Sequence, residues 1–175
     1  MRTLVPDPPP PEIEAWLEQR RRCGADLHDE VWDGVLHVAP PAHGRHAELQ
    51  AQLIAILDPL ARERGLTPLA AFNLGSADDF RVPDAGLQRT HLSSLYYPTA
   101  ALVLEVLSPG DESWEKLPFY AAHGVEELLI VDPNARAIHW LALTDDQYLP
   151  LAHSTLLDLG PGELAKRIAW PALHG

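Results

Sequence analysis

The chain has 175 residues, of which 46% are hydrophobic and 22% charged, and its formal net charge is −12 at pH 7. This length and composition predict one soluble globular domain with a sizeable core. The acidic balance excludes a protein that coats nucleic acid through a broad basic surface. No apolar run is long enough to predict a membrane span or a secretory signal. The single cysteine, Cys23, excludes an internal disulfide and a multi-cysteine zinc site, so we expect a reducing cytoplasm.

The N-terminal quarter of the chain predicts an arm, a helix and a hairpin. We expect residues 1–28 to form a proline-rich extended arm and an N-terminal helix, and residues 29–175 to form the main domain. The helix begins at Pro11 and ends at Gly24, which follow the usual placement of proline and glycine at helix ends. Residues 30–38, EVWDGVLHV, alternate around an aspartate-glycine pair and predict a β-hairpin.

The middle of the chain predicts a long helix followed by three strands. The helix runs from His43 to about Gly65 with its leucines on one face, and Pro59 is expected to kink it. Residues 66–74 and 80–87 predict two strands joined by an acidic turn, SADD. Residues 100–107 are apolar apart from Glu105, which predicts a strand buried on both faces.

The last third predicts a short helix over roughly residues 114–123, a strand in EELLIVD, a strand over 137–143 and a final helix within GPGELAKRIAW. A helix, several strands, a second helix and a hairpin are typical of an α/β (α+β) fold. We therefore predict a single domain with a mixed β-sheet flanked by helices.

Glu105 in a buried strand requires an explanation, because an isolated ionised carboxylate there is costly. If the strand around Asp84 is its neighbour, the alternation of side chains brings the two carboxylates within ~5 Å on one face. Two such groups repel each other unless a cation lies between them, and a hard divalent cation, Mg²⁺ or Mn²⁺, suits oxygen ligands. Lys116 would then stand near a metal-bound water and stabilise charge on the phosphate.

Each of these residues also has a simpler interpretation. Asp84 could be an ordinary turn residue after a proline, and Glu105 could pair with an arginine at the end of its strand. Lys116 could be a solvated helix residue. Ser108 could cap the following helix together with Asp111.

The order of these segments resembles the PD-(D/E)XK nuclease superfamily, and within it the Uma-two branch of putative restriction endonucleases. The resemblance runs from about Asp29 to Asp132. The matching segments are EVWDGVLHV, with Glu30; APPAHGRH, ending at His46; RVPD, ending at Asp84; LVLEVLSP, with Glu105; EKLPFYAAHGV, with Lys116 and Tyr120; and LLIVDP. The usual lysine two residues after the glutamate is a leucine here, and the branch resembles a migrated version in which Lys116 takes that role.

The resemblance implies a restriction-endonuclease-like fold and metal-dependent cleavage of DNA. Asp84 and Glu105 would hold Mg²⁺ or Mn²⁺, and Lys116 would assist the attacking water. Glu30 would be a further acidic residue that orients the ligands or binds metal or water. His46 would contact phosphate or begin the helix near the site, and Tyr120 would position the lysine by packing.

Several alternatives remain open at this point. A non-cleaving binding or assembly protein with this fold, or a hydrolase of small phosphate esters, would suit the acidic charge better than a DNA enzyme. The pair His43 and His46, three residues apart, is also compatible with a metal. Five scattered tryptophans, the proline arm and the frequency of two-fold symmetry predict a homodimer.

Overall fold

The computed structural model describes residues 3–5, 8–41, 43–90, 93–108, 110 and 112–172. These residues form a single domain in which four α-helices flank two six-stranded mixed sheets. The first sheet has the order β1 (Thr3–Val5), β3 (Val35–Val38), β2 (Glu30–Trp32), β6 (Asp79–Arg81), β5 (Asn73–Ser76) and β8 (Tyr96–Tyr97). The second has the order β12 (Gln147–Pro150), β11 (Ala137–Thr144), β10 (Glu127–Asp132), β9 (Leu102–Val106), β7 (Ala85–Gln88) and β4 (Thr67–Ala70). The mixed-sheet prediction is confirmed, with two sheets in place of one.

The second sheet is covered on both faces, which accounts for the apolar sequence of its central strands. Leu102 and Leu104 of β9 belong to a core cluster that includes the buried face of α2 (Gly44–Glu63). Val103 belongs to a second cluster on the opposite face, where Tyr120 of α3 (Leu117–Ala122) is fully buried. Since side chains along a strand alternate, Glu105 shares the face of Val103.

Several elements follow the sequence prediction closely. The first helix, α1, spans Pro11–Cys23, and Gly24 adopts the left-handed conformation that ends it. The predicted hairpin is formed by β2 and β3, with Asp33 and Gly34 both at positive φ. The short predicted helix consists of a 3-10 turn, Ser113–Lys116, followed directly by α3. Pro118 lies in the first turn of α3, where its missing N–H is not needed. The last helix, α4, spans Pro161–Arg167.

Two predicted strands are wrong, because each of them is broken into strands of different sheets. The strand predicted over 66–74 is β4 in the second sheet and β5 in the first. The strand predicted over 80–87 is β6 in the first sheet and β7 in the second. Pro83 marks the second break, since a proline cannot donate to the ladder. At the first break the apolar sequence continues, so the sequence gives no signal that the chain changes from one sheet to the other. At the second break the chain crosses from the first sheet to the second, and this crossing places Asp84 between the two sheets.

The crossing is held by close packing between β7 and Phe72. A Cβ added to Gly86 would lie 2.6 Å from the Phe72 ring and 2.8 Å from the Leu102 carbonyl oxygen. We therefore expect Gly86→Ala to lower the free energy of unfolding by about 1–3 kcal/mol in urea titrations. Gly162→Ala is the control, because its added Cβ has no neighbour within 4 Å. Equal stability of Gly86→Ala and the wild type would contradict this packing.

The first 28 residues are connected to the rest of the chain. Strand β1 pairs with β3, and Val5, Leu17 and Val38 form a small buried cluster. The division into an arm with its helix and a main domain from residue 29 stays a prediction. None of the helices in the described part of the chain is long and apolar enough to cross a membrane.

Candidate active site

One cavity of about 390 Å³ is lined by side chains from both sheets and from the helices beside them. Its lining includes five of the six residues singled out in the sequence: Glu30, His46, Asp84, Glu105 and Lys116. They come from β2, α2, the crossing before β7, β9 and the 3-10 turn. The fold thus gathers residues separated by up to 86 positions in the sequence.

Lys116 lies between two buried glutamates. Its Nζ donates to Glu30 Oε1 at 2.8 Å and to Glu105 Oε1 at 3.0 Å. All three residues are nearly inaccessible, with exposed fractions of 2% for Lys116, 1% for Glu30 and 4% for Glu105. The interpretation of Lys116 as a solvated helix residue is therefore wrong, and Glu105 pairs with a lysine where an arginine was considered. Because one ammonium is shared by two carboxylates, the group of Glu30, Glu105 and Lys116 has excess negative charge when both glutamates are ionised.

Glu105 is held on its other side by α3. The Tyr120 hydroxyl donates to Glu105 Oε1 at 2.5 Å, so Tyr120 fixes the glutamate directly. Burial is the main cause that raises the pKa of Glu105 to about 7, and the charges of Asp84 and Glu30 raise it further. Lys116 and the Tyr120 hydroxyl act in the opposite direction. The Tyr120 pKa is itself raised, chiefly by burial and then by the charge of Glu105.

The raised pKa of Glu105 has a consequence for stability in metal-free buffer. The folded state binds a proton at Glu105 up to about pH 7, whereas the unfolded chain releases it near 4.5. Stability from this group is therefore complete below about pH 4.5 and is lost as the pH rises through 7, by about 3 kcal/mol at most. We expect urea titrations in EDTA to show this loss in the wild type and not in Glu105→Gln. Parallel pH profiles of the two proteins would contradict it.

Asp84 is fixed by three neighbouring groups. Its Oδ1 lies 2.8 Å from Nε2 of His46, and its Oδ2 accepts the Val106 N–H at 2.7 Å. Gln50 of α2 donates to its backbone carbonyl at 2.5 Å. The register of β7 on β9 pairs Ala85 with Leu104, so continuing it by one residue sets Asp84 opposite Glu105. Residues opposite each other in an antiparallel pair point to the same face.

His46 connects Asp84 to the chain that follows β9. Its Nδ1 lies 3.0 Å from the Ser108 hydroxyl while Nε2 faces Asp84. With the proton on Nε2, the neutral ring donates to Asp84 and accepts from Ser108. His43 instead caps α2, because its Nδ1 accepts the Arg45 N–H at 3.3 Å. The two histidines that were considered as a metal pair therefore have separate contacts.

The donor set of this cavity suits a hard divalent cation held by few protein ligands. Within the ranges that the structure describes, no three His, Cys, Asp or Glu side chains form a metal-binding cluster. Among the hydrogen bonds of the described residues, Glu105 Oε2 accepts none, and each carboxylate oxygen of Asp84 has a single partner. Carboxylate oxygens can accept more than one partner. Mg²⁺ typically binds through one or two carboxylates and keeps several waters, which this set permits.

The contacts that Trp32 and Gln50 make in the site were not anticipated. Trp32 donates its indole N–H to Glu30 Oε2 at 2.7 Å, and its ring lies between the Arg81 guanidinium and the stacked His37 ring. Trp32 follows Glu30 by two residues and so shares its strand face, a signal present in the sequence. Gln50 is four residues after His46 on α2, which puts both on one helical face.

Ser108 was interpreted as a helix cap, but the 3-10 turn begins at Ser113, five residues later. Asp111, its predicted partner in the cap, lies outside the described residues. The structure places Ser108 in the lining of the cavity, in contact with His46.

Comparison with known proteins gives two findings. The family model named Uma2, described as "Putative restriction endonuclease", matches residues 13–166, well over half of the chain. A crystal structure described as a putative nuclease belonging to DUF820, from Anabaena variabilis, superposes with a TM-score of 0.64 at 13% sequence identity. The superposition covers 79% of this chain and 90% of that one, and it shows a shared fold. No curated protein matches the sequence.

Proposed function

Because the chain belongs to the Uma2 family of putative restriction endonucleases, we propose that it is a divalent-metal-dependent DNA endonuclease. The observation that carries the proposal is the buried array in which Lys116 bridges Glu30 and Glu105 beside Asp84. Glu30, Glu105 and Asp84 lie together, and among the described residues only one ammonium, that of Lys116, is hydrogen-bonded to them, which is poorly balanced without a further cation. Burial of this kind at a cavity, with a shifted pKa, is typical of functional sites.

Each residue of the site would have a separate role in the reaction. Asp84 and Glu105 hold Mg²⁺ or Mn²⁺, which when bound polarises the phosphate and lowers the pKa of a water. Glu30 keeps Lys116 charged and in place beside Glu105, and Lys116 assists the attacking water. His46 orients Asp84 through the 2.8 Å contact, and Tyr120 orients Glu105.

The reaction is hydrolysis of a phosphodiester. The oxygen of water forms a new bond to phosphorus, and the bond from phosphorus to the leaving sugar oxygen breaks. The attacking water gives up one proton and the leaving oxygen takes up one, so the products are one strand end with a phosphate and one with a hydroxyl. In this proposal Lys116, beside Glu105, stabilises the negative charge that grows on the phosphate oxygens.

The direct test is a calorimetric titration of Mn²⁺ or Mg²⁺ into the wild type and Asp84→Ala, together with plasmid cleavage at low salt. We expect the wild type to bind metal and nick the plasmid, and Asp84→Ala to lose both. Asp78→Ala is the matched control, because Asp78 lies in the exposed turn between β5 and β6. Absence of metal binding by the wild type would refute the proposal.

The net charge of −12 favours a second candidate, a metal-dependent hydrolase of small phosphate esters. Such an enzyme needs no extended basic surface. Hydrolysis of bis(p-nitrophenyl) phosphate without plasmid cleavage would identify it. Metal binding without hydrolysis of either substrate would identify a non-cleaving binding or assembly protein with the nuclease fold.

We also propose that the protein is a cytoplasmic homodimer, since nucleases that cut both strands often work in pairs. Two of the five tryptophans, Trp16 and Trp114, are exposed, and so is Leu4 on the edge strand β1. Light scattering at micromolar concentration is expected to give twice the chain mass of 19.3 kDa. A mass equal to that of one chain would refute the dimer.

A further inference from the structure

Apart from the lysine proposed to act at the reacting phosphate, the cavity contains little positive charge that could bind the substrate strand. Lys116 is engaged with Glu30 and Glu105. Among the described residues that line the cavity, the only other lysine or arginine is Arg45. A protein with a net charge of −12 that binds an anionic strand must do so through a few local cations.

Arg45 is the second residue of α2, adjacent to His46, and its side chain is half-buried. Its Nη2 donates to Asn134 Oδ1 at 3.2 Å. Asn134 is an exposed residue in the turn between β10 and β11, and it also lines the cavity. The guanidinium is therefore held at the cavity by the amide of an exposed residue from another element.

Few of the N–H donors of the Arg45 side chain make hydrogen bonds with the described residues. A guanidinium has five N–H donors, and the buried Nε of Arg45 has no hydrogen-bond partner among the described residues. A ligand oxygen cannot reach the buried Nε, so the donors open to it are those of Nη1 and the second N–H of Nη2. An oriented guanidinium with unused donors is well suited to a phosphate, which it can bind through two parallel hydrogen bonds.

We infer that Arg45 binds a phosphate of the substrate strand at the mouth of the cavity, and that Asn134 orients its guanidinium. The inference rests on the proposed function in that the substrate is a nucleic acid. It assigns to Arg45 the binding of the strand and leaves the metal and the attacking water to the carboxylates and Lys116. Because one residue carries much of this contact, its loss should change the dependence of binding on salt.

The experiment measures equilibrium binding of a fluorescein-labelled duplex oligonucleotide by anisotropy. Ca²⁺ replaces Mg²⁺, and a denaturing gel verifies that the oligonucleotide stays intact. The proteins are the wild type, Arg45→Gln, Arg45→Lys and Arg62→Gln. Arg62 is the matched control, because it is an exposed arginine near the other end of α2 and its loss changes the charge equally.

We expect Arg45→Gln to raise the Kd roughly tenfold or more and to reduce the slope of log K against log salt by about one. Arg45→Lys should lie between Arg45→Gln and the wild type, since it keeps the charge and loses the planar fork. Arg62→Gln should bind like the wild type. Calorimetric Mn²⁺ binding and the urea midpoint should be unchanged in Arg45→Gln.

Three results of the binding assay would by themselves overturn the inference. They are equal binding by Arg45→Gln and the wild type, equal losses in Arg45→Gln and Arg62→Gln, and no binding by the wild type. Weaker binding that comes with a lower urea midpoint would assign Arg45 to the structural contact with Asn134, and so would also overturn it. The wild type could also bind DNA but no metal, while Arg45→Gln loses DNA binding. That result would refute the metal-dependent function and leave Arg45 as the phosphate contact.

Discussion

Lys116→Ala is expected to slow plasmid cleavage by about 10²- to 10⁴-fold while metal still binds. The substitution leaves the carboxylates of Asp84 and Glu105 in place, so the proposed ligands remain. It removes the ammonium that lies 3.0 Å from Glu105, the group proposed to stabilise charge during attack on the phosphate. Cleavage is measured with plasmid and Mg²⁺ at low salt, and metal binding by calorimetry.

Lys116→Ala should also lower the free energy of unfolding by about 3–5 kcal/mol, because it leaves two buried carboxylates without their cation. The assays therefore require a urea titration that establishes a folded protein at the working temperature. Lys166→Ala is the control, since Lys166 is an exposed lysine on α4. Equal cleavage by Lys116→Ala and the wild type would point to a contaminating nuclease and would remove the role of this lysine.

Glu105→Gln is expected to reduce both metal affinity and cleavage, in contrast to Lys116→Ala. Glutamine keeps the shape of the side chain and an oxygen for the Tyr120 hydroxyl, but it removes the charge of a proposed ligand. We expect the metal Kd to rise roughly tenfold or more and cleavage to fall by about 10²-fold or more. The two variants together separate metal binding from the chemical step.

Glu115→Gln is the matched control for Glu105→Gln, because Glu115 is exposed on the 3-10 turn beside Lys116. It should bind metal and cleave like the wild type. Unchanged metal binding in Glu105→Gln would show that this carboxylate is not a ligand. Pairing with Lys116 would then be the only role of Glu105.

Local sequence signals predicted most elements of the fold. Alternation around Asp33-Gly34 located the hairpin, and Gly24 located the end of α1, because both depend on backbone conformations that few residues adopt. The breaks at residues 71–72 and 82–84 separate strands of different sheets, and pairing partners far away in the chain decide them. An apolar strand has the same sequence whichever sheet it joins.

Five of the six predicted site residues line one cavity, whereas their contacts were not predictable and their roles stay predictions. The placement of Glu105 in an apolar strand marked it as unusual and led to Asp84 and Lys116 as its partners, and the family resemblance supported these and supplied Glu30. The burial of Lys116 has no local signal, since a lysine in a short helix is exposed by default. The contact of His46 with Asp84 joins residues 38 positions apart and depends on how α2 lies against the crossing.

The separation of 86 residues between Glu30 and Lys116 has a consequence for folding during synthesis of the chain. A chain is synthesised from its N-terminus, and contacts between distant residues form late because closing the loop between them is slow. All three carboxylates leave the ribosome before the lysine does. The buried array therefore cannot close until residue 116 has been synthesised, and a chain truncated before that residue would hold Glu30 and Glu105 without the ammonium that pairs with them.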